Sequence, residues 1–167
     1  MSRNLDDLHP SLKRKALNVS EQSAAINIPI LIYRTLATVE EQNFIYQQGR
    51  SRPGRIVSNA PGGFSYHNYG LAFDFAVDPP GPEIAWDTKV DANDDEIPDY
   101  AQVGRIGEDL GLEWGARFQS LRGDLGHLQM SCGLTVQQLL VFYEIGGLSR
   151  VWLEVDKVLE SHGSNSR

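Results

Sequence analysis

Residues 71–77 place the strongest constraint on the fold, because their side chains alternate in character along the chain. The large apolar residues share one face, and the other face carries Asp74 between two alanines: Leu71, Phe73, Phe75 and Val77 against Ala72, Asp74 and Ala76. This period of two is typical of a β-strand that buries its apolar face. The sequence therefore predicts a rigid strand that carries Asp74 on a face kept clear by small neighbours.

Two of the four histidines stand near carboxylates in glycine-rich and aromatic-rich surroundings. His67 precedes Asp74, and His127 follows Asp124. Two imidazoles and a carboxylate suit a catalytic zinc whose fourth position is open. A second carboxylate could then take a proton from water at that position. The alternative is a pair of hydrogen-bonded structural histidines. The other two, His9 and His162, lie in polar contexts near the termini and are expected at the surface.

The segment before His127 decides whether Asp124 can reach the same point. On a regular strand, residues three apart point to opposite faces, so Asp124 and His127 could not converge. Gly123 and Gly126 argue against a helix and supply a flexible backbone for a turn. We therefore expect a turn that directs both side chains to one place.

Composition excludes several classes of protein. A chain of 167 residues with a net charge of −7 and no basic cluster fits one ordinary domain and no non-specific nucleic-acid binding. The single cysteine, Cys132, excludes an internal disulfide. No apolar run is long enough for membrane insertion, and the polar N-terminus indicates no secretory signal peptide. We expect a monomer that is cytoplasmic at synthesis.

Local patterns predict one α+β domain over residues 1–160, with a disordered tail at 161–167. Helices are predicted from Pro10, from the capping box that Thr38 opens, and over 100–110, 135–145 and 148–159, with Gly146 and Gly147 between the last two. Strands are predicted at 28–33 (buried), 71–77, 112–114 and 127–130. Residues 50–63, rich in proline and glycine, are predicted to form a loop.

An acidic segment offers a second candidate cation site. Oxygen-bearing side chains alternate as in an EF-hand calcium loop, at Asp91, Asn93, Asp95 and Asp99. However, Glu96 replaces the usual glycine, and Gln102 replaces the usual bidentate glutamate. The sequence therefore predicts at most a weak calcium site, and the alternative is a solvated acidic loop.

The arrangement Ser65-x-His67-x-x-Gly70-x-Ala72-x-Asp74 resembles that of the LAS-type zinc peptidases. These include D-alanyl-D-alanine carboxypeptidases and dipeptidases, and the L-alanyl-D-glutamate endopeptidases of bacterial cell walls and phage lysins. Four further segments resemble the endopeptidase branch: 33–35, 41–42, 46–51 and 111–115. The resemblance covers about residues 8 to 130.

The resemblance implies a fold and a set of roles. The fold is α+β, with a small central antiparallel sheet flanked by helices and the zinc site on the sheet. His67, Asp74 and His127 would be the zinc ligands, with Asp124 as general base and acid. Arg34 would hold a substrate carbonyl or carboxylate, although a structural salt bridge is an alternative. Ser65 would orient His67 or contact substrate, or serve only as a turn residue.

The activity that this resemblance implies is zinc-dependent hydrolysis of the L-alanyl-D-glutamate bond in the peptidoglycan stem peptide. A D-alanyl-D-alanine carboxypeptidase on the same scaffold is the alternative enzyme. A catalytically inactive cell-wall-binding module is an alternative of another class, but the presence of all three ligands and Asp124 argues against it. We expect a bacteriolytic, endolysin-like protein that acts on the cell wall after release.

Overall fold

The computed structural model describes residues 1–79, 83–119 and 123–164. Within these ranges the helices are α1 (Pro10–Ala25), α2 (Val39–Gln47), α3 (Asp99–Asp109) and α4 (Val136–Ser164). The strands are β1 (Ile30–Arg34), β2 (Ala72–Val77), β3 (Glu113–Trp114) and β4 (His127–Gln129). Short 3-10 helices cover Leu5–Asp7, Tyr66–Tyr69 and Gly115–Arg117. The predicted α+β class and helix positions are confirmed.

The four strands form one antiparallel sheet in the order β1-β2-β4-β3. Every residue of β2 is buried, and its apolar face packs into a core that includes Leu12 and Val19 of α1. The prediction of a buried strand at 28–33 was wrong in one respect. β1 lies at the sheet edge and is half-buried along its length, because only β2 pairs with it.

A bulge at Tyr33 changes which face of β1 meets the Asp74 side of the sheet. Ile32 pairs with Phe75, yet Arg34 pairs with the next residue of β2, Asp74. Two steps along β1 thus correspond to one step along β2, which is the definition of a β-bulge. In a regular strand Arg34 would share the face of Ile32 and Phe75. The bulge instead directs Arg34 to the face that carries Asp74.

The C-terminal helical segment is broken at the predicted position. Gly146 and Gly147 have non-helical backbone angles, and Gly147 has a φ of 64°. The second half packs Val151 and Val155 into the core. Residues 161–164 continue this helix, while 165–167 of the predicted disordered tail lie outside the described residues. No helix in the described ranges is both long enough and apolar enough to span a membrane.

His9 is a core residue, which corrects the expectation that it lies at the surface. Its ring is fully buried and its Nδ1 accepts a hydrogen bond of 3.2 Å from the backbone N–H of Ser11, so the imidazole caps α1. The ring stands edge-on to Trp152, with centroids 5.5 Å apart. Nearby sequence gives no sign of this burial because the covering residue lies in α4. His162 is exposed, as expected.

Helix α3 approaches the sheet closely because two of its residues lack a side chain. A β-carbon at Gly104 would overlap the ring of Trp114, and one at Gly107 would overlap Leu128. Trp114 and Leu128 lie on β3 and β4, which pair with each other. The two glycines therefore set the distance between α3 and the strand that carries His127.

We predict that Gly104→Ala lowers the free energy of unfolding by roughly 1–2 kcal/mol. Alanine favours a helix over glycine by about 1 kcal/mol, but overpacking a filled contact typically costs about 1–3 kcal/mol, and here the obstacle is a buried indole. Chemical denaturation measures the change. Arg105→Ala, on the exposed side of the same helix, is the control and should remain close to wild type. A Gly104→Ala protein more stable than wild type would contradict the close-contact explanation.

Candidate active site

His67 is held in a tight local frame. It lies in the 3-10 helix Tyr66–Tyr69, whose first N–H groups are capped by Ser65. The Ser65 hydroxyl accepts a hydrogen bond of 3.3 Å from the His67 backbone N–H, while Asn68 Oδ1 accepts from the Ser65 N–H. Gly70 ends the helix with a φ of 65°, which glycine adopts without strain. Ser65 thus fixes the backbone of His67.

The side chains of His67, Asp74 and His127 converge on one point. His67 Nε2 lies 3.1 Å from Asp74 Oδ1 and 3.3 Å from His127 Nδ1. Asp74 Oδ1 lies 2.8 Å from His127 Nδ1. Asp74 is opposite His127 in the pairing of β2 with β4, so the sheet itself brings these two together. In the described part of the chain this is the one group of three ligand-type side chains found close enough to share a metal ion.

The outer hydrogen bonds of both imidazoles leave an unprotonated nitrogen facing that point. His67 Nδ1 donates to the carbonyl oxygen of Thr35 at 2.7 Å. His127 Nε2 donates to Gln129 Oε1 at 3.0 Å, and Gln129 is oriented because its Nε2 donates to Glu113 at 2.8 Å. In neutral rings the opposite nitrogens are then lone-pair donors. Two ring lone pairs and a carboxylate oxygen fit a zinc ion.

Burial and mutual contacts shift the pKa values of all three side chains in this group. Burial alone would raise the pKa of Asp74, but the two adjacent imidazoles hold that pKa well below its usual value. Burial lowers the pKa of His67 despite the nearby Asp74. Burial also opposes protonation of His127, but its contact with Asp74 outweighs this and raises its pKa. These contacts favour the anionic form of Asp74, which is the form that binds a metal ion.

Asp124 lies beside this group on the predicted turn. Gly123 has a φ of 78°, and the His127 N–H donates to the Asp124 carbonyl oxygen at 3.3 Å, which closes the turn. Burial and the negative charge of Asp74 raise the pKa of the Asp124 carboxyl. Glycine at 115 leaves room for this turn, since a β-carbon there would overlap the Asp124 backbone. The result is a proton-accepting group next to a candidate metal centre.

Arg34 joins the same group from the neighbouring strand. Its Nη1 lies 3.4 Å from Asp74 Oδ2, and its Nη2 donates to Gln42 Oε1 at 2.7 Å. Gln42 is buried and donates in turn to Ser58 and Ala60. The salt bridge considered from the sequence is therefore present. The guanidinium also lines a cavity, so the contact with Asp74 does not remove Arg34 from the cleft.

A cavity of about 580 Å³ opens over these side chains. Its floor includes the catalytic candidates, and apolar residues from the loop before Ser65 form one wall: Val57, Ala60, Pro61 and Phe64. Ser65, Phe118 and Gln129 also border it. Such a volume accommodates a short peptide segment.

The acidic loop is structured by its own side chains. Asp91 accepts hydrogen bonds from the Asp95 and Glu96 N–H groups, and Asp95 accepts from Ile97. Glu96 has a φ of 67°, the conformation for which an EF-hand normally uses glycine. Asp99 is fully buried, and its Oδ2 accepts from the Ala92 N–H. Calcium binding by this loop stays a prediction.

The residues that orient the site were not found from the sequence. Thr35 orients His67 through its carbonyl oxygen, for which any residue type would serve. Gln129 orients His127, Glu113 orients Gln129, and Gln42 holds Arg34. One signal was available for Gln129, since it lies on the same strand face as His127 two residues earlier. Glu113 and Gln42 lie on other elements, so strand periodicity gave no sign of their roles, although both lie in segments that resemble the endopeptidases.

A buried centre with two histidines and an aspartate, a carboxyl of raised pKa beside it and a cleft above defines a metal-dependent hydrolase. Residues 58–130 match the peptidase family described as D-alanyl-D-alanine carboxypeptidase. The chain is 40% identical over 124 residues to the peptidoglycan L-alanyl-D-glutamate endopeptidase CwlK of Bacillus subtilis (strain 168), covering 74% of each protein. This chain therefore belongs to the peptidase family that residues 58–130 match. Members of that family are zinc-dependent.

A crystal structure supports the same fold. The L-Ala D-Glu endopeptidase ChiX of Serratia marcescens superposes with a TM-score of 0.53 at 24% identity. The match covers 76% of this chain and 83% of that one. At this level of identity, the comparison establishes a shared fold.

We predict that purified protein binds about one zinc per chain and that His67→Ala loses most of it. Asp124→Asn should retain zinc, because its carboxylate is not one of the three converging ligand atoms, while turnover falls by roughly 10²–10⁴-fold through loss of proton transfer. Elemental analysis and a hydrolysis assay on the same preparations give both quantities. Loss of zinc from Asp124→Asn, or full activity of metal-free protein, would contradict this division of roles.

Proposed function

We propose that this protein is a zinc-dependent endopeptidase that hydrolyses the L-alanyl-D-glutamate bond of the peptidoglycan stem peptide. The observation that carries the proposal is 40% identity to an enzyme of that activity over most of both chains, together with an intact group of His67, Asp74, His127 and Asp124. We place its action at the cell wall, where this substrate occurs. The expectations of a monomer and of no nucleic-acid partner remain predictions.

In this proposal His67 Nε2, His127 Nδ1 and an Asp74 oxygen would hold the zinc. Bound there, zinc would polarise the scissile carbonyl and lower the pKa of a water molecule. Hydrogen bonds within the protein orient these ligand atoms. Thr35 and Gln129 hold the two rings in the tautomers that can ligate, and the surrounding strands exclude bulk water from Asp74.

Asp124 carries the proton transfer. Its carboxylate would accept a proton from the attacking water and return it to the nitrogen of the leaving D-glutamate. Burial and Asp74 raise its pKa, which makes it a stronger base than an exposed aspartate. The turn over 124–127 sets the position of its backbone relative to His127.

Arg34 would bind the substrate on the D-glutamate side. It lines the large cavity, and its Nε is buried without a protein partner in the described structure. A guanidinium held by Asp74 and Gln42 is pre-oriented, and it suits the free α-carboxylate of a γ-linked D-glutamate. Ser65 would act chiefly by fixing His67, with its position on the cavity wall bringing it near substrate.

Digestion of purified peptidoglycan should expose new N-terminal D-glutamate while the glycan strands remain intact. Mass spectrometry of the released peptides, with amino-terminal labelling, identifies the bond. The matched control is Asp124→Asn, which should release these termini only at the reduced rate predicted above for that variant. Release of free D-alanine alone would favour the D-alanyl-D-alanine carboxypeptidase alternative, and wall binding without any cleavage would favour the inactive binding module.

We also retain weak calcium binding at Asp91, Asn93, Asp95 and Asp99 as a proposal. In support, Asp99 Oδ1 and Asn93 Oδ1 are both buried without a hydrogen-bond partner in the described structure. We expect calorimetric heat with a Kd of roughly 10⁻⁴–10⁻³ M, as in extracellular EF-hand-type modules. The heat should disappear in Asp91→Ala/Asp95→Ala. No heat up to millimolar calcium would identify the segment as a solvated acidic loop.

A further inference from the structure

A second, smaller cavity meets the large one at Asp124. It has a volume of about 210 Å³, and its walls include Tyr33, Phe75, Trp86, Thr88 and Tyr100. Asp124 borders both cavities, whereas Arg34 borders only the large one. A substrate whose scissile bond lies at Asp124 would therefore extend into one cavity on each side of that bond.

Trp86 is the conspicuous side chain of the small cavity. It is 62% exposed, whereas Trp114 is 5% exposed and Trp152 is partly buried. The exposed ring is nevertheless held in place. It stands edge-on to Tyr33, with centroids 5.3 Å apart and planes at 72°. Tyr33 and Trp86 thus give the cavity an aromatic edge, and aromatic rings offer a ligand a large contact area.

The backbone beside Trp86 is fixed to the sheet. The Ala85 N–H donates to the carbonyl oxygen of Val77 at the end of β2, at 2.9 Å. The Ala85 carbonyl oxygen accepts a hydrogen bond of 2.9 Å from the Tyr100 hydroxyl. Both backbone groups of the residue before Trp86 are thus bound, so the indole is presented at a defined position relative to Asp124.

The chemistry of the proposed substrate assigns an occupant to each side. The D-glutamate side carries a carboxylate, which matches Arg34 and the large cavity. On the other side, the L-alanine nitrogen is joined through a lactyl group to a muramic acid sugar. The C–H face of a pyranose ring packs well on an exposed indole. A sugar that belongs to a long glycan strand also needs a surface open to solvent, which Trp86 provides.

Resting on the function proposed above, we propose that Tyr33 and Trp86 form a subsite for the muramic acid residue that carries the stem peptide. The small cavity then holds the L-alanyl and lactyl groups, and the sugar lies on the indole at its rim. The enzyme consequently distinguishes stem peptides still attached to glycan from peptides already released from it.

Two matched substrates test this subsite. One is N-acetylmuramoyl-L-alanyl-γ-D-glutamyl peptide, and the other is the same peptide with a D-lactyl group in place of the whole sugar. The zinc-loaded wild type should cleave the muramoyl peptide with a kcat/KM about tenfold higher, mainly through KM, since tenfold corresponds to one contact of about 1.4 kcal/mol. Trp86→Ala should reduce this ratio to about one, because it should lower kcat/KM for the muramoyl peptide about tenfold more than kcat/KM for the lactyl peptide.

Phe44→Ala is the control, because Phe44 is another exposed aromatic residue and borders neither cavity. It should preserve the substrate ratio, and Trp86→Phe should retain part of it. Equal kcat/KM for both substrates in the wild type would overturn the subsite while leaving the proposed bond specificity intact. An equal loss on both substrates in Trp86→Ala would also overturn it. Failure to cleave either substrate would overturn the proposed function as well.

Discussion

The site depends on the contacts of one buried group, the carboxylate of Asp74. It lies in the middle of a fully buried strand, where an unpaired charge would be prohibitively costly. The Arg34 guanidinium supplies a positive charge next to it, and the imidazoles of His67 and His127 enclose it; the three residues come from three separate elements. The Asp74 carboxylate is therefore the common contact of three side chains that lie far apart in the sequence. A metal cation in the same place would complete the compensation and would bind the chain segments to one another.

Sequence reasoning reached the parts of this arrangement that have local signatures. The alternation around Asp74 predicted its strand, and the glycines around Asp124 predicted the turn that the structure contains. The capping box at Thr38 is present, with both of its hydrogen bonds. Each of these features is determined by side chains a few residues apart, so a short window of sequence contains the relevant physics.

The remainder depends on contacts between distant segments. His9 looked like a surface residue because its own neighbours are polar, yet Trp152 covers it. The orientation of His127 depends on Gln129 and ultimately on Glu113, whose pairing is set by the register of β3 with β4. The register shift at Tyr33 also lacks a distinctive residue type. Pairing and packing partners of this kind become visible only when the fold is known.

The bulge in β1 has a consequence for how such sites can diverge. The one additional residue of the bulge places Arg34 beside Asp74 and Tyr33 against Trp86. The side chains on both sides of the cleft therefore depend on the same bulge in an edge strand. Loss or gain of one residue there would exchange the side chains offered to both halves of a substrate at once. The pairing of Asp74 with His127 on β4 would be untouched. Edge-strand insertions thus offer this scaffold a route to new substrates that leaves the group of His67, Asp74 and His127 unchanged.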